Sequence, residues 1–423
     1  MRKWWPLAVV CAGSFLFLLD TTVVTVALPR IGADLTAPVG QLQWVPNVYT
    51  LVLAVLMLAV GSLADRWGLR RVFLAGLAVF GVASLACGFS PDIGVLIAAR
   101  GVQAVGGAAL AVTGFALLAA CYEGRARGTA ISVFFAVNGL GAAAGPVVGG
   151  VLTEYLGWAA IFFVNVPLAL LTGVFAARAL PPDTPVRRGR FDVAGAVWFA
   201  VFAASLVHGL TLDRWALAVS VLGFAGFVVV ERRRAEPMLD LRLFRAGGFS
   251  TLIACAAAST LTFAALVYVS LWLGRSLSPV AAGLAMAPLA VASFLTSTLL
   301  GKVLHRFPPR VLLGAGVLLG ALGCLVLPVA GIPIGLAVTG IGVGIAGPAT
   351  GAAVASAAPP GRAGMAAGIL TTTRQFGQTL GVAVLGIAYQ AGGLTPVYVI
   401  AALCGGVTGL LALVPRKQAR VPA

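Results

Sequence analysis

Asp20 lies in an apolar stretch that begins at Pro6. An acid there either holds a structural hydrogen bond or ion pair, or takes up and releases a proton. Desolvation favours the neutral acid and a nearby cation favours the carboxylate, so a change of surroundings can move the proton. Arg100 and Arg374 stand in comparable apolar runs. Ionisable groups are costly to keep in such places, which makes function the first reading for each. A further acid, Asp65, sits in Gly61-Ser-Leu-Ala-Asp65-Arg66-Trp-Gly68-Leu-Arg70-Arg71. It is an anion able to face the positive N-terminal end of a neighbouring helix, with Gly61 permitting close approach; a solvated turn with basic flanks is the competing reading. The polar residues Thr21, Thr22, Thr25, Asn47, Gln103, Asn138, Thr262, Tyr268 and Gln378 are scattered through apolar runs and, with Arg374, are candidates to line a cavity.

Other chemistries lack their residues. Six cysteines lie singly, without metal or disulfide spacing, and only two histidines occur, so no metal or cofactor is expected. No phosphate-cradling Gly-x4-Gly-Lys loop occurs among the three lysines, which excludes direct use of ATP. His208 and Asp213 imitate a short acyltransferase pattern, but they fall at the predicted outer end of a helix pair, away from cytosolic acyl donors.

The elements that position these residues follow from composition. The chain has 423 residues, 60% hydrophobic and 9% charged, with a mean hydropathy of +1.05. Those values exclude a soluble domain. A spanning helix needs roughly 20 apolar residues, and the apolar runs predict fourteen such helices, the first from Pro6 through Pro29 rather than a cleaved leader. The others fall near 43–62, 72–89, 93–120, 128–152, 159–179, 193–210, 214–230, 249–273, 280–302, 311–328, 333–355, 364–390 and 396–414.

Charge gives the sidedness. A balance of 28 Lys and Arg against 12 Asp and Glu invites a nucleic-acid reading, but the bases are scattered over alternate short loops. One set of loops and tails holds 23 of them, among them Arg66, Arg125, Arg187, Arg232 and Arg306, and the other holds Arg30, Arg214 and Arg275. The positive-inside rule then places both termini in the cytosol. No nucleic-acid partner is expected; the lipid bilayer is the partner.

The chain also repeats. Gly61 to Arg71 recurs as Gly301-Lys-Val-Leu-His305-Arg306-Phe-Pro-Pro-Arg310, and Gly124-Arg125-Ala recurs as Gly361-Arg362-Ala. A duplicated bundle is the natural reading. It predicts an all-α polytopic membrane protein with a six-helix bundle over 1–180, linkers and a two-helix insert over 181–245, and a second six-helix bundle with a short tail over 246–423.

These residues resemble a known family. Gly61-x-Leu63-x-Asp65-Arg66-x-Gly68, with Leu69 in place of the usual first base before Arg70, is similar to the cytosolic signature of major facilitator superfamily transporters. Gly141-Ala-Ala-Ala-Gly145-Pro146-Val-Val-Gly149-Gly150 resembles the antiporter signature of that family without departure. Leu19-Asp20 to Pro29, Arg100-Gly-Val-Gln103 to Gly107, Trp158 to Pro167, and Arg374-Gln-x-Gly377 resemble signatures of its fourteen-helix drug:proton antiporter branch, with Thr25, Ala104 and Ala159 as departures.

The resemblance implies a major facilitator fold and secondary active export of lipophilic drugs or natural products in exchange for protons. The importing alternative is a proton symporter for a small organic solute; a non-transporting membrane sensor and an intramembrane enzyme are remote ones. It implies Asp20 as proton carrier, working with Arg100, which counting along helices of 1.5 Å rise places at a similar depth. Outward opening is expected to weaken that pair, and a permanent pair is the structural alternative. Asp65 is implied to latch the helix starting near Ala363, and His305 marks a second copy that has lost its latch. The stripe from Gly141 to Gly150, bent at Pro146, is implied to form a tight seam that moves as a unit. Arg374 either lines the cavity or extends its long stem toward the cytosol. A monomer in a bacterial cytoplasmic membrane is expected.

Overall fold

The computed structural model describes residues 2–42, 44–183, 192–211, 215–234, 237, 239, 247–273, 281, 284–303, 306–357 and 362–414. Arg187, Asp213, Arg214, Arg275, His305 and Gly361 fall outside these. The described chain is helical, as a lipid-embedded backbone must be to satisfy its N–H and C=O groups internally.

In chain order the long helices are α1 (Trp5–Asp34), α2 (Trp44–Trp67), α3 (Leu69–Gly88), α4 (Ile93–Cys121), α5 (Gly124–Leu156), α6 (Ala160–Ala179), α7 (Val193–Thr211), α8 (Trp215–Arg233), α9 (Gly247–Leu273), α10 (Ala287–Val303), α11 (Pro309–Ala330), α12 (Ile332–Ala357), α13 (Ala363–Gly392) and α14 (Leu394–Leu413). Among the described residues ten are long and apolar enough to cross a membrane. α5, bent by 42° between Ala142 and Val147, makes eleven. α7 and α10 carry shorter apolar stretches, Val193–Leu206 and Ala287–Leu300. α6 was expected as one run, but it breaks at Val164, between Ala160–Phe163 and Asn165–Ala179.

α1 packs against α4, α5 and α6, while α4 also packs against α2 and α3. Later in the chain α12 packs against α10 and α11, and α9 and α11 both pack against α14. These two sets meet where α2 crosses α13 and α5 crosses α10. α7 and α8 pair with each other, and α7 lies on α2. Phe199 and Phe202 of α7 meet the Phe376 ring at centroid distances of 6.1 and 5.6 Å, so this pair covers the α2–α13 crossing from one side.

Candidate functional site

Four helices enclose Asp20, which has no exposed surface. Arg100 of α4 donates from Nη1 to Asp20 Oδ2 at 2.7 Å, and Gln103 Nε2, one helical turn further, donates to Oδ1 at 2.9 Å. Asn165 Nδ2, brought in by the break in α6, donates to the same oxygen at 2.8 Å. Ser84 of α3 accepts the second amide hydrogen of Gln103 at 2.8 Å. The Arg100 guanidinium also lies over the Tyr49 ring at 4.1 Å. Buried charge is tolerated when it is paired and its remaining bonding sites are filled, and this network does both for the carboxylate. Gln103, expected at a cavity wall, is fully buried with its amide engaged inside this network.

The glycine stripe of α5 lies against α1 rather than against the later helices. A Cβ at Gly145 would run into Thr22 Oγ1, and one at Gly149 would stand 2.8 Å from Val23 O. At Gly141 it would stand 3.2 Å from Phe15 O. The stripe therefore lets α5 seat directly on the backbone beside Asp20. The 42° bend of α5 falls between Ala142 and Val147, within the span of this stripe. Gly150 continues the stripe, half-buried.

At one end of the molecule Asp65 joins the two sets of helices. Its Oδ1 accepts from Gly364 N at 2.6 Å and its Oδ2 from Met365 N at 2.8 Å. These are the first free amides of α13, so the carboxylate meets both orphan donors and the positive helix end. The α2 and α13 backbones touch here, since a Cβ on Gly61 would collide with Gly364 O. Arg66 is the last base of α2, half-buried. Gly68 adopts φ +104°, a left-handed conformation suited to glycine. That turn lets Arg70 N and Arg71 N donate to Asp183 at 2.8 and 3.0 Å. Arg70 also donates through Nη2 to Ala177 O.

Of the cavity candidates, the threonines turn their hydroxyls inward: Thr21 to Phe17 O and Thr25 to Thr22 O, both at 2.8 Å, and Thr262 to Ala258 O at 2.9 Å. Tyr268 donates to Val382 O of α13, and Asn138 Oδ1 accepts from Ser14 Oγ. Asn47 and Gln378 are exposed. Arg374 lies where α13 and α12 face α5, its guanidinium 4.4 Å from the centroid of the Phe135 ring. The residue is half-buried, with its Nε buried.

The Major Facilitator Superfamily model matches residues 10–232 and 247–423. The chain belongs to the major facilitator superfamily. Multidrug resistance protein Stp of Mycobacterium tuberculosis is 35% identical over 406 residues, covering 90% of this chain and 74% of that protein. Cephamycin export protein CmcT of Amycolatopsis lactamdurans is 37% identical over 407 residues, covering 90% of this chain and 83% of that protein. The crystal structure of the human organic anion transporter MFSD10 (TETRAN) superposes with a TM-score of 0.75 over 97% of this chain and 99% of that one; at 17% identity the likeness is one of fold.

This major facilitator protein is thus a multi-pass transporter of the cell membrane, not an enzyme. Sequence reasoning missed Ser84, Asn165, Tyr49 and Asp183. Asn165 carried the same signal as Asp20, a strong hydrogen-bonding group inside an apolar run. Gln103 lies three residues after Arg100, on the same helix face. Asp183 offered no signal, because a linker acid reveals its partner only once the chain has turned back on α3.

Proposed function

We propose that the protein exports lipophilic drugs or natural products in exchange for protons, by alternating access between bundles spanning 1–180 and 246–423. The linkers and insert of 181–245 bring the count to fourteen spans, with both termini cytosolic. The observation that carries this reading is Asp20, an acid within a long apolar helix, fully buried and bonded to Arg100, Gln103 and Asn165. The scarcity of polar groups left unbonded among the cavity candidates suits an apolar cargo. The drug-resistance and export relatives support the outward direction.

With the Asp65 latch end taken as cytosolic, its closure coexists with an intact Asp20–Arg100 pair. Further opening to the outside is expected to weaken that pair, and the proton then replaces Arg100 as the partner of Asp20. The protonated carrier then returns inward, where Arg100 reclaims the carboxylate and the proton leaves. One carboxylate carries one proton per cycle, and each net charge moved contributes roughly 2.3 kcal/mol per 100 mV.

Everted membrane vesicles loaded by an imposed pH gradient test this with a fluorescent lipophilic dye. Asp20→Asn is expected to abolish uphill accumulation while leaving downhill equilibration of the dye. Gradient-driven accumulation by that variant sinks the carrier assignment.

A further inference from the structure

Among the described residues Arg374 is a cation with no acid bonded to it. The chain has no Asp or Glu after Asp240, while eleven Lys and Arg follow that point, so no carboxylate of the second bundle can neutralise it. In the first bundle Asp20 is held by Arg100, and Asp65 is held at the N-terminus of α13. Among the described residues no acid bonds Arg374, and its buried Nε has no hydrogen-bond partner. A guanidinium with its Nε buried and unbonded is unfavourable unless something supplies the missing charge.

The surroundings of Arg374 fit a visiting anion. Phe135 of α5 covers one face of the guanidinium at 4.4 Å. On the α12 side stands Gly347, where a Cβ would lie 3.5 Å from Nη2. Gly347 presents no side chain to Nη2, and the planar fork of guanidinium N–H donors matches a carboxylate or sulfonate in plane. The arginine sits between the two bundles, where cargo passes.

We propose that Arg374 binds an anionic group on the transported molecule, so that the cargo is an amphipathic organic anion. This rests on the export reading for its cargo route, and narrows the substrate class. Exchange of a monoanion for one proton moves two charges per cycle, and 100 mV multiplies the attainable gradient about fiftyfold for each.

Equilibrium binding of two matched probes to the full chain in detergent tests this without requiring transport. Tetraphenylborate and tetraphenylphosphonium share shape and differ in charge, and their partitioning into detergent is common to all variants. Arg374→Gln is expected to weaken tetraphenylborate binding at least tenfold and leave tetraphenylphosphonium within twofold, whereas Arg374→Lys retains most of the preference. Gly347→Asp places a carboxylate beside the intact arginine and is expected to lose the anion as Arg374→Gln does, which keeps the test decisive where one variant does not fold. Binding measured without a pH gradient separates this result from failure of proton coupling. Equal binding of the borate by wild type, Arg374→Gln and Gly347→Asp overturns the proposal, as does a parallel loss of both probes.

Discussion

Asp20 accepts hydrogen bonds from three side chains, and one of the donors is a full charge. Removing Arg100 leaves a buried carboxylate with two amides, a loss of about 3 to 5 kcal/mol if the acid stays ionised. Arg100→Gln is therefore expected to lower the melting temperature in detergent markedly, and Asp20→Asn combined with Arg100→Gln to recover much of it. Additive losses in that cycle contradict a coupled pair. The pairing was legible in the sequence because depth along two antiparallel helices can be counted. Ser84 and Asn165 were not, because their role depends on how α3 and α6 are rotated and on the break at Val164. Gln103 was legible as polar but was placed at the cavity wall, since its sequence does not say which neighbour faces it.

At the scale of elements, two contacts hold helices whose relative motion matters. Asp65→Asn keeps the shape of the latch but loses the charge-assisted bonds to Gly364 N and Met365 N, worth about 1 to 2 kcal/mol. Hydrogen exchange of those two amides is expected to quicken roughly tenfold. Unchanged protection removes Asp65 from the latch. On the α1–α5 contact, Gly145→Val must push Thr22 aside, and overpacking of that kind costs about 1 to 3 kcal/mol. Loss of export, or a proton leak, from a folded variant is the expected result; normal kinetics without leak remove the seam from the cycle. The stripe was readable as a close contact from its small residues, whereas its partner α1 was not, because small residues specify proximity and not identity.

For the whole molecule, apolar length alone identifies ten or eleven spans, and the proposed fourteen include three helices that this measure passes over. α7 and α10 are short, and α13 carries Arg374, Gln375 and Gln378 in one polar stretch. Arg374 within it lies against Phe135 of α5 and Gly347 of α12, a placement invisible to a hydropathy average. The charge asymmetry of the loops supports the proposed even count. Fluorescent or phosphatase reporters fused in the α8–α9 linker and after Val414 are expected to report the cytosolic side, and one fused in the α7–α8 turn the outer side. Opposite sides for the first two break the even count of spans. A reporter in the α7–α8 turn that faces the cytosol removes the insert from the membrane.

The central claim is that one buried carboxylate couples cargo to protons. Proteoliposomes holding a trapped pH dye test it directly, with wild type and Asp20→Asn compared as lipophilic compounds are added on one side. The account predicts cargo-triggered proton movement in wild type and none in the variant. Cargo that demonstrably crosses without moving protons, or proton movement that survives in Asp20→Asn, contradicts it.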